Sequence, residues 1–175
     1  MLTADADLSL GVAQNRQRQT FLRIHALHVF VEGTVEYIQD RKTGQLFELA
    51  VYIGAVMGRA SSSDTGVLLD FARNLGLAYQ TADDVYDAEP MPNGEHAKPT
   101  GMDIGKPTAV QVYGVENAKT KAWVHFLKAF RSLDRLTPNT EPIRVLGVRL
   151  CRYLMEWENY QRFLDAAYRE VYCGE

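Results

Sequence analysis

Apolar positions recur at helical spacing along almost the whole chain. Phe21, Ile24, Leu27, His28 and Val31 form one such run, and Gly33-Thr34 followed by Glu36 predicts a break and a fresh helix start. A second helix is expected from about residue 34 to 59. It ends before Ser61-Ser62-Ser63-Asp64, whose short polar side chains suit a turn and an N-cap. Val67, Leu68, Phe71, Leu75 and Ala78 then make an apolar stripe at steps of three and four residues, the pattern of a helix with one buried face. Pro90-Met91-Pro92-Asn93-Gly94 stops that helix, and a loop rich in Gly, Pro and Lys extends to Gly105. Val115 to Leu136 and Pro142 to Tyr172 supply two more helices, parted by Thr137-Pro138-Asn139. No stretch alternates convincingly with period two and none repeats, so the expected class is all-α.

Composition narrows this picture. A chain of 175 residues, 46% of them hydrophobic, can bury one sizeable core. Residues 1–14 are expected to be a flexible N-terminus, and 15–175 a single helical domain. Nineteen basic against 22 acidic residues give a net charge of −3, which argues against a nucleic-acid binder that relies on a broadly basic surface. Cys151 and Cys173 are far apart and lack CxxC spacing, so neither a zinc site nor a disulfide framework is indicated, and a reducing compartment, the cytoplasm, is expected. The polar start of the chain lacks the regions of a signal peptide. No run of 18 apolar residues suggests a membrane span.

Candidate chemistry gathers at the end of the Phe71 stripe, in Tyr79-Gln80-Thr81-Ala82-Asp83-Asp84-Val85-Tyr86-Asp87. A helix advances about 100° per residue, so Asp83 and Asp87 share a face while Asp84 stands roughly a quarter turn away. Three hard oxygen ligands converging there would suit magnesium, which takes one or two carboxylates together with water and substrate phosphate. On the carboxylates alone, a solvated helix end is the simpler account.

The surrounding residues change that balance. Leu75 to Asp87 resembles the second aspartate-rich motif of the trans-isoprenyl diphosphate synthases. Upstream, Lys42-Thr43-Gly44-Gln45-Leu46-Phe47 is similar to that family's Lys-Thr-Gly segment, and Gly54-Ala55-Val56-Met57-Gly58 follows as in its members. Downstream, Lys98-Pro99-Thr100-Gly101-Met102-Asp103-Ile104-Gly105-Lys106-Pro107-Thr108 resembles its lysine-bearing loop. The resemblance covers about residues 34 to 134, with its motifs in order. It implies a helical bundle of isoprenoid-synthase type and a magnesium-dependent condensation of isopentenyl diphosphate with an allylic diphosphate. Asp83, Asp84 and Asp87 would hold the metal. Lys42 and Lys106, with Lys98, would meet the diphosphate, and Thr43 and Gln80 would add hydrogen bonds. Tyr79, Phe71 and Leu75 are candidate walls of a prenyl pocket, although aromatic and apolar residues at this spacing are more often core.

Full-length members also carry a first Asp-Asp-x-x-Asp motif and upstream basic residues, which this sequence lacks. The lysine loop is shortened between Asp103 and Lys106, and Ala97 stands where glycine is common. The resemblance therefore implies the C-terminal half of a synthase. Such a chain would be a fragment of an active enzyme, or one half of a split enzyme, working as a homo-oligomer or with a partner chain that brings the first motif; the alternative is a non-catalytic partner or regulatory subunit. Its apolar stripe from Phe71 to Ala82 is then expected to face helices of the other half. Other readings fit less well. Gly101 to Thr108 is one residue short of a phosphate-binding P-loop and follows no strand. His25 and His28 lack further metal partners. Lys128, Arg131 and Arg135 complement a helix dipole. A terpene cyclase would need an Asn/Asp-x-x-x-Ser/Thr-x-x-x-Glu partner after Asp87, and none is present.

Overall fold

The computed structural model describes residues 33–89, 107–137 and 139–174, and the chain divides after Thr34. The architecture below is that of the unit Val35–Glu175; the expected boundary at residues 14 and 15 lies outside the described residues. Helix is already formed at 33–39, opens into a π-helical turn at Asp40–Gly44, and continues as α1, Gln45–Met57. The predicted helix of 34–59 is thus present, with a wide turn inside it that periodicity alone does not reveal. Arg59 takes a left-handed backbone at φ 55, and Ser61 then caps α2, Ser62–Ala88, by accepting from the Asp64 amide at 3.0 Å.

α2 is long because its apolar stripe is long. Phe71, Leu75, Ala78, Ala82 and Val85 are all buried, and they face α4, Val115–Leu133. That helix answers with Ala118, Ala122, Phe126, Ala129 and Leu133. Alanines on both sides keep the two backbones close, while Phe71 meets Phe130 edge-on with ring centroids 6.2 Å apart. The stripe expected to face an absent half is therefore the centre of this chain's own core. The apolar face left exposed belongs to α1, where Leu46 is 67% and Met57 80% accessible and Leu49, Ile53 and Val56 join them.

Between α2 and α4 lies a short helix, α3, Ala109–Tyr113, capped by Thr108 through the Gln111 amide. Gly114 at φ 75 turns the chain into α4. Beyond α4, the single helix expected from Pro142 to Tyr172 is broken. It comprises α5 (Glu141–Leu150), a 3₁₀ turn (Arg152–Glu156), α6 (Tyr160–Tyr168) and a closing π turn (Arg169–Cys173). Cys151, Leu154 and Trp157 fall at three-residue steps and are all buried, and the 3₁₀ winding of three residues per turn brings such positions into line on one side. Asn159 then adopts a left-handed backbone at φ 57, a conformation that asparagine tolerates better than most residues. Among the described residues no strand is present and no helix is long and apolar enough to cross a membrane.

Candidate functional site

The wide turn at Asp40–Gly44 fixes the site. It lies against α2 so closely that a methyl group on Gly76 would stand 2.9 Å from the Gly44 Cα atom. Gly76 leaves room for that approach, whereas a methyl group on Gly44 would meet the Asp40 side chain at 3.0 Å instead of α2. With the backbones this near, Thr43 donates from its hydroxyl to Gln80 Oε1 at 2.6 Å. Gln80 in turn donates from Nε2 to Asp84 Oδ1 at 3.0 Å. A π turn inside a helix often marks a functional position, and this one carries Lys42-Thr43-Gly44.

Asp84 is the centre of the arrangement and is only 5% exposed. Besides Gln80, its Oδ2 accepts from Gln39 Nε2 at 2.9 Å and from the Ala109 backbone amide at 2.8 Å. Thr81 donates weakly to Gln39 Oε1 at 3.4 Å, which sets the direction of that amide. The Ala109 amide is among the first of α3 and has no partner within its own helix, so Asp84 satisfies it. A buried carboxylate is tolerated only with such a set of donors.

Around this network is a cavity of about 300 Å³, lined by Ile38, Gln39, Lys42, Gln80, Asp84, Pro107 and Thr108. All three predicted motifs contribute to it: the Lys-Thr-Gly segment through Lys42, the aspartate segment through Gln80 and Asp84, and the end of the lysine loop through Pro107 and Thr108. Asp83 and Asp87, one turn apart on α2, are half-buried. The partition expected from helix geometry holds, with Asp84 turned inward and Asp83 and Asp87 sharing another face. Among the described residues, however, no three His, Cys, Asp or Glu side chains gather closely enough to hold an ion. The donor set that suits magnesium is the half-buried pair Asp83 and Asp87, hard oxygens at the number such an ion takes from protein. Lys98, Lys106, His25 and His28 lie outside the described residues.

Aromatic side chains run alongside. Phe47, Tyr79 and Tyr153 form a row, with centroids 5.7 Å and 5.8 Å apart, and Tyr153 donates to the Tyr79 carbonyl at 3.4 Å. Burial first, and then the negative potential of Cys151, Tyr79 and Asp83, drives the Tyr153 phenol far above its usual range. Of the three proposed pocket walls, Phe71 and Leu75 are instead core, each 2% exposed, because their stripe faces α4. Tyr79 alone stands in the aromatic row.

A larger cleft of about 730 Å³ includes Lys128, Arg131 and Arg135 but shares no residue with the first. Its two arginines have local partners: Arg135 pairs with Asp70 at 2.6 Å, and Arg131 donates to the Val171 carbonyl. Sequence reasoning missed Gln39, Thr81 and Thr108. For Gln39 the sequence does hold a signal, since it stands one helical turn after the apolar Val35 and three residues before Lys42.

Residues 19–141, more than half of the chain, match the polyprenyl synthetase family. Over 96 residues the chain is 41% identical to geranylgeranyl pyrophosphate synthase 4 of Arabidopsis thaliana, covering 54% of this chain and 25% of that protein. It is 37% identical over 101 residues to farnesyl diphosphate synthase of Geobacillus stearothermophilus, covering 57% and 34%. The heterodimeric geranylgeranyl pyrophosphate synthase large subunit 2 of Arabidopsis thaliana is 36% identical over 87 residues, covering 49% and 23%. The chain thus spans about a quarter to a third of the length of these curated relatives. The family match takes in the whole site from Gln39 to Thr108, and by that match the chain belongs to the polyprenyl synthetase family.

Proposed function

We propose that this chain carries the diphosphate-binding half of a trans-isoprenyl diphosphate synthase site and that it is the C-terminal half of that fold. The reaction is condensation of isopentenyl diphosphate with an allylic diphosphate. The observation that carries this reading is the convergence of Lys42, Gln80, Asp84 and Thr108, from three separate segments, on one cavity. Names of the relatives support the substrate class: they are geranylgeranyl and farnesyl diphosphate synthases.

In the reaction, the allylic carbon–oxygen bond breaks with its electron pair passing to the diphosphate. The double bond of isopentenyl diphosphate then attacks the allylic carbon, and loss of a proton restores an alkene. The protein's task is to stabilise charge on the departing diphosphate and to keep water from the cation. The Lys42 ammonium, at the cavity wall, supplies positive charge, and Lys98 and Lys106 add to it. Thr43 and Gln80 orient one another, so that an amide is held ready to donate. Asp83 and Asp87 would hold magnesium through their carboxylate oxygens. When bound, the ion neutralises diphosphate charge as a Lewis acid. The row Phe47, Tyr79 and Tyr153 is the candidate apolar wall.

Helices carrying the first aspartate motif come from the rest of a longer chain or from a partner chain, and the exposed face of α1 is compatible with either. The two cysteines are unpaired, in keeping with the cytoplasm. The direct test is to incubate the purified chain with isopentenyl diphosphate and geranyl or farnesyl diphosphate, with magnesium or with chelator, and to identify products by mass. Magnesium-dependent elongation supports the reading. If folded chain yields no product alone and changes neither the rate nor the products of a full-length synthase, the chain has no part in catalysis.

A further inference from the structure

We infer that Asp84 is a positioning residue and not a metal ligand: it clamps the helix bearing Lys42 to the chain that follows the lysine loop. This assignment rests on the proposed diphosphate site and deepens it. Asp84 lies between Asp83 and Asp87 in sequence, yet its carboxylate points into the protein and takes donors from three segments. Gln39 reaches it from the helix before Lys42, Gln80 from α2, and the Ala109 amide from the first turn of α3. The Gln80 arm extends to Thr43. Lys42, next to Thr43 in sequence, and Thr108, next to Ala109, both line one cavity, so the bonds that Thr43 and Ala109 make toward Asp84 tie their positions together.

The two roles make different demands. A ligand to such an ion is best served by a charged carboxylate oxygen, and a neutral amide oxygen in its place holds the ion more weakly. A clamp must present acceptors in the right places. In Asp84→Asn the amide oxygen can keep the Gln39 and Ala109 bonds, and Gln80 can turn its amide to meet the new NH₂. Its Nε2 then faces the Thr43 hydroxyl, which accepts as readily as it donates. The asparagine variant therefore retains a clamp but would weaken a ligand.

The test uses the full chain with Mn²⁺ as probe ion, followed by electron paramagnetic resonance, and inorganic pyrophosphate followed by calorimetry in excess Mg²⁺. Asp84→Asn is expected to keep both affinities within about threefold, whereas Asp83→Asn loses about tenfold or more in Mn²⁺ affinity. Asp84→Ala keeps Mn²⁺ affinity but weakens pyrophosphate about tenfold. It also speeds hydrogen exchange of the Ala109 amide in ligand-free protein. Should Asp84→Ala not fold, Gln39→Leu, which removes one arm only, is expected to weaken pyrophosphate without affecting Mn²⁺. Loss of Mn²⁺ affinity in Asp84→Asn equal to that in Asp83→Asn would overturn the assignment while leaving the diphosphate site intact. Unchanged Ala109 exchange in Asp84→Ala would also overturn it. If wild-type protein binds neither probe, the proposed function and this inference fall together.

Discussion

Replacing Gly76 with alanine tests the contact on which the site is built. In a helix interior, alanine is favoured over glycine by about 1 kcal/mol. Gly66, on the same helix, has nothing within 4 Å of an added methyl group, so Gly66→Ala should show that gain in full. At Gly76 the added carbon would stand 2.9 Å from the Gly44 Cα and 3.5 Å from its nitrogen. Both atoms are backbone, so relief requires the Lys42-Thr43-Gly44 turn to move outward by roughly half an ångström or more. Overpacking of this kind costs about 1–3 kcal/mol, which offsets the helical gain or exceeds it. The two variants should therefore differ by about 1–3 kcal/mol. That corresponds to ~2–12 °C in melting temperature for a chain of this size. Outward movement also stretches the Thr43 to Gln80 bond, so Gly76→Ala should weaken pyrophosphate binding while Gly66→Ala leaves it unchanged. Thermal melts by circular dichroism and calorimetric titration measure both. If Gly76→Ala stabilises the protein as much as Gly66→Ala does, the close approach of turn and helix is refuted, and with it the geometry of the cavity.

Further expectations follow from the core and from its buried titratable groups. Phe71→Ala removes a ring packed between α2 and α4 and should cost about 3–5 kcal/mol in urea unfolding, whereas a pocket-wall residue would affect substrate binding more than stability. His125 is held neutral in the fold, its pKa lowered from 6.5 to about 3 by burial and then by Lys128 and Lys121. The unfolded chain binds this proton first as pH falls. Stability from the neutral imidazole is thus full above pH 6.5 and is lost progressively down to about pH 3, at up to ~1.4 kcal/mol per pH unit. Wild type should accordingly lose more stability than His125→Gln over that range. Cys151 is fully buried, its thiol pushed up to about 12, and Cys173 is exposed. A thiol reagent at pH 8 should modify one cysteine in native protein and two after unfolding.

The sequence makes the long helices legible because each has one apolar face. The Phe71 stripe and the Val115–Leu133 helix are found this way to within a few residues. Where periodicity misleads, the reason is local. Cys151, Leu154 and Trp157 are spaced three apart, which reads equally as α-helix, and only their joint burial shows the 3₁₀ turn. α1 is apolar nearly all round, with Leu46, Phe47, Leu49, Val51, Tyr52 and Ile53, so its pattern does not say which side stays exposed. For the aspartates, helix geometry separates Asp84 from Asp83 and Asp87 but cannot show what receives it. Its partners Gln39 and Ala109 are 45 and 25 residues away in sequence. The need for glycine at position 76 is equally hidden, since it shows only once the Gly44 backbone is brought against it.

Calorimetric titration of the purified chain with inorganic pyrophosphate, with and without Mg²⁺, tests the central claim most directly when wild type is set beside Lys42→Ala. The account expects binding that requires Mg²⁺ and weakens about tenfold when the Lys42 charge is removed. A cooperatively folded protein that binds no pyrophosphate, or binds it equally well without Lys42, would contradict it.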